Sequence, residues 1–276
     1  MARKRVTELF PWLLPLRQWQ RKLWFYRKME RDGNKYAEEL SSVLLPCEMF
    51  HSACPMINED TGFDLRYQEN KVFNLKLAAA IDGLLIRPGE TFSFWRCARY
   101  ADKKIPYLDG LVEINGKLTT QRGGGLCMMS NLLFWLFLHT PMTILERWGH
   151  DVKDFPEPVS DALYGVDATV AEGWQDLKVQ NDTDVTYQIR ITFDETHIIG
   201  QILADRDTGL RYKAVNQFLR YVQEEDGIYE GVTVCQLVLN AEDGQCIKTR
   251  LLYRNRCRIG YDLPEDTVIV DRRKEI

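Results

Sequence analysis

Residues 126–139, LCMMSNLLFWLFLH, contain no Asp, Glu, Lys or Arg and show no polar face. A helix that is apolar all round must be enclosed on every side. This one segment therefore demands a fold thick enough to surround it, and the chain has the means: 276 residues, 45% of them apolar, can bury one large core or two small ones. Three glycines, Gly123 to Gly125, precede the segment and Pro141 follows it, so the expected helix starts near Leu126 and stops before the proline.

The rest of the chain reads as a mixture of helices and strands. From Arg17 to about Leu45 helix formers dominate, with Trp19, Leu23, Trp24, Tyr26 and Met29 loosely at helical spacing among basic residues. Two readings of this segment stand side by side. It could pack on the core with a solvated basic side, or rest on a membrane surface with its aromatics facing one way and its cations the other. QENKVFNLKLAAAIDG (68–83) reads as a helix stopped at Gly83, and LLIRPGETFSFW as strand, turn at Pro88-Gly89, strand. MTILERW predicts a strand running up to Gly149-His150, and beyond residue 166 the strand candidates are VDATVA, WQDLKVQN, TYQIRITF, HIIGQILA, GVTVCQLVLN, CIKTRLLYRN and RIGYDL. The fold class is α+β: a helical, basic N-terminal region (1–61), a mixed core (62–202) and a β-rich C-terminal extension (203–276).

Charge and cysteine usage bound the function. Residues 1–30 hold eight Lys or Arg (Arg3, Lys4, Arg5, Arg17, Arg21, Lys22, Arg27 and Lys28) against Glu8 and Glu30, a local +6 in a chain of −4, so the remainder is −10. No global case for nucleic acid follows. Seven cysteines, at 47, 54, 97, 127, 235, 246 and 257, form no tight framework and read as reduced thiols. The apolar stretch LFPWLLPL (9–16) is cut by Pro11 and Pro15 and meets no small-residue cleavage site, so no signal peptide is expected. Nor does another run approach the roughly 18 apolar residues of a spanning helix. A soluble, intracellular protein is the expectation.

Cys127 stands out for its setting. Three consecutive glycines let another molecule approach the main chain, which makes Gly124 and Gly125 candidate substrate or oxyanion contacts. Cys127 then falls in the first turn of a helix, where unpaired N–H groups and the positive end of the dipole favour the thiolate and could hold an oxyanion. Such a nucleophile needs a base or imidazolium beside it. Of the four histidines, His139 ends the apolar helix and reads as its C-terminal cap, His197 sits in a turn between strands, and His51 lies in CEMFHSAC with Cys47 and Cys54. His150 follows a strand and a glycine and is the candidate base. Asp151 or Asp167 could orient its ring, and the sequence does not choose between them; Asp167 completes the candidate catalytic set. CEMFHSAC lacks the second ligand pair of a structural zinc site, and no Lys-Ser or Lys-Thr follows the glycines as in a phosphate loop, so neither metal nor cofactor is expected. Asp60, Asp64 and Glu69 read as solvated charges.

These residues resemble the VanW family. GGGLCMMSN (123–131) is similar to its hallmark of a glycine triplet, a cysteine, and a serine shortly after, which adds Ser130 to the candidate site. RPGETFSFW (87–95), ERWGH (146–150), VDATV (166–170) and DLKVQNDT (176–183) resemble further blocks in the same order, and LFPWLLPLRQWQR and TGFDLRYQENKVFNLKLAA are similar to stand-alone members associated with glycopeptide resistance. The resemblance implies a cysteine-dependent L,D-transpeptidase-like acyl transfer on peptidoglycan-type peptides, with Cys127 as nucleophile and His150 as the histidine of an Arg-x-x-His block. Arg147 of that block would bind a peptide carboxylate or brace the loop. Met128 stands where glutamine is usual and Asp151 where serine is common, the latter setting a negative charge beside His150. The alternative is a non-catalytic binding or scaffold protein of the cell-wall precursor machinery, docked through its basic N-terminal segment. A peptidoglycan precursor or related peptide is the expected partner.

Overall fold

The computed structural model describes residues 10–58, 61–113, 118–153 and 160–271. Arg3, Lys4, Arg5, Glu8 and Asp60 lie outside the described residues. The helices are α1 (Leu14–Met29), α2 (Leu65–Ala78), α3 (Phe94–Ala98) and α4 (Leu126–Phe137). Among the described residues, no helix is long and apolar enough to cross a membrane.

The strands are β1 (Lys35–Tyr36), β2 (Cys47–Pro55), β3 (Leu85–Ile86), β4 (Glu90–Ser93), β5 (Asp109–Glu113), β6 (Leu118–Arg122), β7 (Thr143–Glu146), β8 (Val152–Lys153), β9 (Lys178–Gln180), β10 (Tyr187–Phe193), β11 (His197–Ala204), β12 (Leu210–Glu224), β13 (Gly227–Asn240), β14 (Cys246–Ile259) and β15 (Ile269–Asp271). They form sheets in the orders β1-β4-β9-β7, β2-β11-β10-β3 and β15-β12-β13-β14-β8, with β5-β6 as a separate hairpin. The architecture is the expected α+β mixture, with an N-terminal helix and a β-rich C-terminal part.

The apolar segment becomes α4, and its neighbours explain why it needs no polar face. The Trp135 ring meets Phe50 of β2 edge-on at 5.6 Å, Phe137 packs against Phe92 of β4 at 5.0 Å, and Phe134 lies 5.7 Å from Tyr253 of β14. Three sheets thus contribute to its surroundings, and Leu132, Leu133, Phe134, Leu136 and Phe137 are all buried. Each large apolar side chain so enclosed contributes about 1.5–3 kcal/mol relative to exposure. His139 closes the helix by donating from Nδ1 to the Trp135 carbonyl at 2.9 Å, as a cap should. Burial holds its pKa down at about 4, so it caps as a neutral ring and not as a charge on the dipole.

Several expected elements differ. Helix α1 ends at Met29 instead of continuing to Leu45, because the Asp32 carboxylate accepts from the Asn34 N–H and the Tyr36 O–H and turns the chain into β1. Tyr26 and Met29 anchor α1 while Trp19 and Trp24 remain 60% and 65% exposed. CEMFHSAC is a strand, paired antiparallel with β11. Its alternating burial leaves His51 exposed beside Glu48, with Ser52 buried. Asp64 is no merely solvated charge, since it caps α2 by accepting from the Arg66 N–H at 2.9 Å. VDATVA forms no strand. Ala168 N–H goes to Asn131 Oδ1 and Thr169 N–H to the Trp148 carbonyl, so a loop takes the place of a ladder. RIGYDL is the end of β14 followed by irregular chain, and His197 opens β11. Strand β12, absent from the strands expected from the sequence, is a half-exposed ribbon without clean apolar alternation.

Candidate active site

Helix α4 starts where Gly125 adopts φ +91°, a left-handed conformation that L side chains rarely take. The preceding Gly124 is needed for a different reason: a methyl there would lie 2.2 Å from the Gly110 carbonyl carbon and oxygen, main chain against main chain. That contact binds the glycine turn to the β5-β6 hairpin. The turn then delivers Cys127 into the first turn of α4, with Met128 N–H bonded back to the Gly125 carbonyl. The earlier N–H groups of such a turn have no acceptor within the helix.

His150 comes from the loop after β7, and Asp167 from the irregular segment that sequence periodicity made a strand. Asp167 is 1% exposed and grips the histidine twice, accepting from the His150 main-chain N–H and from Nδ1 at 2.8 Å. With Nδ1 occupied, Nε2 is the ring nitrogen left for the Cys127 thiol, and each group favours the charged form of the other. Thr169, not singled out from the sequence, brings its hydroxyl within 3.2 Å of Cys127 Sγ. Its only sequence signal was membership of the VDATV block.

The charges support one another. Burial pushes the Cys127 thiol up, but the hydrogen bond and charge of His150, with smaller help from Thr169 and the Val170 main chain, outweigh it and hold the thiol below its ordinary range. Burial likewise disfavours an imidazolium, yet the charge and hydrogen bond of Asp167, joined by Cys127, raise His150 well above its usual value. Burial would raise Asp167, and the contacts from His150 with the Arg147 charge bring it below the carboxylate range. All three shifts run toward the charged forms, thiolate, imidazolium and carboxylate. A thiolate is the nucleophilic form of cysteine.

The remaining candidates divide. Cys127, His150 and Gly125 line one cavity of about 1700 Å³, together with Lys71, Thr169 and Arg122. Asp151 also lines its edge, but its side chain is exposed and the carboxylate that engages His150 is Asp167. Ser130 is not brought to the cavity: it is fully buried, its hydroxyl shared between the Ala168 and Cys127 carbonyls. Gly124 is buried too, donating to the Gln121 carbonyl and accepting from Asn74. Arg147 spends its fork on the protein, donating Nε to the Asp167 carbonyl and Nη2 to Asn255 Oδ1 at 2.9 Å, with its guanidinium 4.6 Å from the Tyr253 ring centre. It holds Asp167 against β14. Among the described residues, no group of three or more His, Cys, Asp or Glu side chains is gathered as a metal site.

Fold and site together define an α+β protein that sets a Cys-His-Asp cluster at a helix N-terminus in the wall of a large cleft. A family model described as VanW like protein matches residues 70–203, the stretch that carries all three of those residues. Over 270 residues and 98% of each chain, the sequence is 57% identical to the vancomycin B-type resistance protein VanW of Enterococcus faecalis. The chain belongs to the VanW family. It is also 30% identical over 123 residues to the uncharacterized protein YoaR of Bacillus subtilis, covering 44% of this chain and 39% of that one. No solved structure matches.

Proposed function

We propose that the protein is a cysteine-dependent acyltransferase of the L,D-transpeptidase kind, acting on peptidoglycan-type peptides, and that it shares the link to vancomycin B-type resistance carried in the name of its Enterococcus faecalis relative. The observation that carries this reading is the Asp167–His150–Cys127 chain of contacts on a cavity wall.

The proposed steps draw on these groups. Thiolate Sγ attacks the carbonyl carbon of a peptide bond, and the electron pair moves to the carbonyl oxygen. Free N–H groups at the start of α4 face a negative charge developing there. When the tetrahedral species collapses, the C–N bond breaks and the His150 imidazolium protonates the departing amine, leaving a thioester on Cys127 and a neutral imidazole. An incoming amine, or water, gives its proton to His150 as it attacks the thioester, and the thiolate returns beside an imidazolium. Asp167 keeps the ring in one tautomer and orientation throughout. Trp19 and Trp24, exposed beside Arg17, Arg27 and Lys28 on α1, support contact with an anionic membrane surface, where a lipid-linked precursor would be met.

The test is iodoacetamide labelling of each cysteine as a function of pH, by mass spectrometry, in the protein and in His150→Ala. The proposal requires Cys127 to label well ahead of the other cysteines near neutral pH and to slow by about tenfold or more without the imidazole. A Cys127 no faster than the others would mean a scaffold and not an enzyme.

A further inference from the structure

Lys71 is a buried amine on the cavity wall that the acyl-transfer steps leave unused. It lies on α2, is 6% exposed, and its stem crosses Gly125 so closely that a methyl on that glycine would sit 2.2 Å from Lys71 Cγ. Its Nζ donates to Asn58 Oδ1, and among the described residues it meets no carboxylate. A buried ammonium whose hydrogen bond goes to a neutral amide is costly. Burial accordingly pulls its pKa down to about 7, with Cys54 of β2 as the opposing charge.

Trp135 gives an independent sign that this wall awaits a ligand. Met128, Asn131, Leu132 and Trp135 line the cavity at helical spacing along α4, so the wall runs on from the nucleophile toward β2. The Trp135 side chain is 4% exposed and its indole N–H meets no acceptor among the described residues. Indole N–H and ammonium groups donate and accept nothing. An indole N–H without an acceptor, beside an ammonium that spends one of its three donors on Asn58, calls for an acceptor-rich ligand on this wall.

We propose that the lobe lined by Ser52, Cys54, Asn58, Lys71 and Trp135 is a carboxylate subsite, in which Lys71 Nζ holds the C-terminal carboxylate of the residue that leaves in the first acyl-transfer step and the Trp135 indole donates to the same peptide. It rests on the acyl-transfer reading for the orientation of that peptide but not for the binding itself. The stem of Lys71 lies against Gly125, two residues before Cys127, and the carboxylate of a single leaving residue stands one extended residue, about 3.5 Å, beyond the scissile carbonyl. A charge-assisted hydrogen bond would then replace a poorly compensated buried amine. The subsite makes the enzyme select for a free C-terminus one residue beyond the cleaved bond.

Calorimetric titration with acetyl-L-lysyl-D-alanine and with its C-terminal amide, in two buffers of different ionisation enthalpy, tests this at pH 7.5. The acid is expected to bind about tenfold more tightly than the amide and to take up protons as Lys71 becomes fully charged. Lys71→Met, which keeps the stem over Gly125, should erase both the preference and the proton uptake while circular dichroism confirms its fold. Equal affinity for acid and amide in the unmodified protein, or no binding of either, overturns the subsite. Labelling of Cys127 in the unmodified protein is read separately: acid preference beside an inert Cys127 would sink acyl transfer and leave the subsite standing, whereas a reactive Cys127 without acid preference would sink the subsite alone.

Discussion

Replacing Asp167 by Asn keeps the shape of the side chain but removes its charge and turns one of its two acceptor oxygens into a donor. Asp167 accepts from the His150 main chain and from Nδ1, and the histidine side chain is only 26% exposed, so solvent screens the pair weakly. A hydrogen bond to a charged partner is worth about 1.5–3 kcal/mol, which is roughly 10- to 100-fold in an equilibrium constant. Asp167→Asn should therefore lower the proton affinity of His150 and, through it, the thiolate fraction of Cys127, slowing iodoacetamide labelling of Cys127 at pH 6.5 by about 10-fold or more. The labelling profile should move to higher pH and converge with that of the parent in alkali, where every thiol ionises. Stability must follow the same logic. The raised His150 pKa contributes stability at low pH that is lost as pH climbs through its folded value, and the lowered Asp167 pKa contributes stability above the carboxylate range that is lost in acid. The deficit of Asp167→Asn in urea denaturation is thus largest around neutrality and narrows toward both extremes. Superimposable labelling profiles for parent and variant would refute the assignment of Asp167 as the source of the charge on this site.

Two further substitutions probe how the site is held. Gly124→Ala should be far more damaging than Gly123→Ala: the new methyl meets the Gly110 main chain at 2.2 Å, whereas at Gly123 its nearest neighbour is the Tyr107 ring at 3.6 Å and the cost is chiefly that of a left-handed residue, about 1 kcal/mol. Thermal melts of the two variants check this, and equal losses would contradict the close approach of the glycine turn to the β5-β6 hairpin. Arg147→Lys keeps the charge but abandons the fork to the Asp167 carbonyl and Asn255 as well as the stack on Tyr253. A loss of about 2–3 kcal/mol in denaturant titration is expected, together with slower Cys127 labelling as Asp167 loosens; a variant of parental stability would show that the brace is dispensable.

Much of this arrangement was legible in residue order. The apolar run 126–139 announced a buried helix, the glycine triplet and Pro141 set its ends, and Cys127 fell in the first turn, all because helix start, stop and burial are dictated by neighbours close in sequence. His150 emerged from a short roll of histidines. The choice between Asp151 and Asp167 was different in kind. Asp151 is adjacent to the histidine in sequence and faces solvent, while Asp167 reaches it from a loop whose Ala168 N–H and carbonyl are held by Asn131 and Ser130 of α4. Alternating residues 166–171 looked like a strand, and tertiary hydrogen bonds from a helix overrode the pattern. Strand β2 was hidden because its ladder partner, β11, lies about 150 residues away. Lys71 carried no signal at all, since nothing in a lysine on an amphipathic helix tells that its amine will be buried against the glycine turn of another. Local order marked Cys127 and His150 as candidates; only the folding of distant segments onto α4 decided what charge surrounds them, because Coulomb and hydrogen-bond energies depend on distances through space and not along the chain.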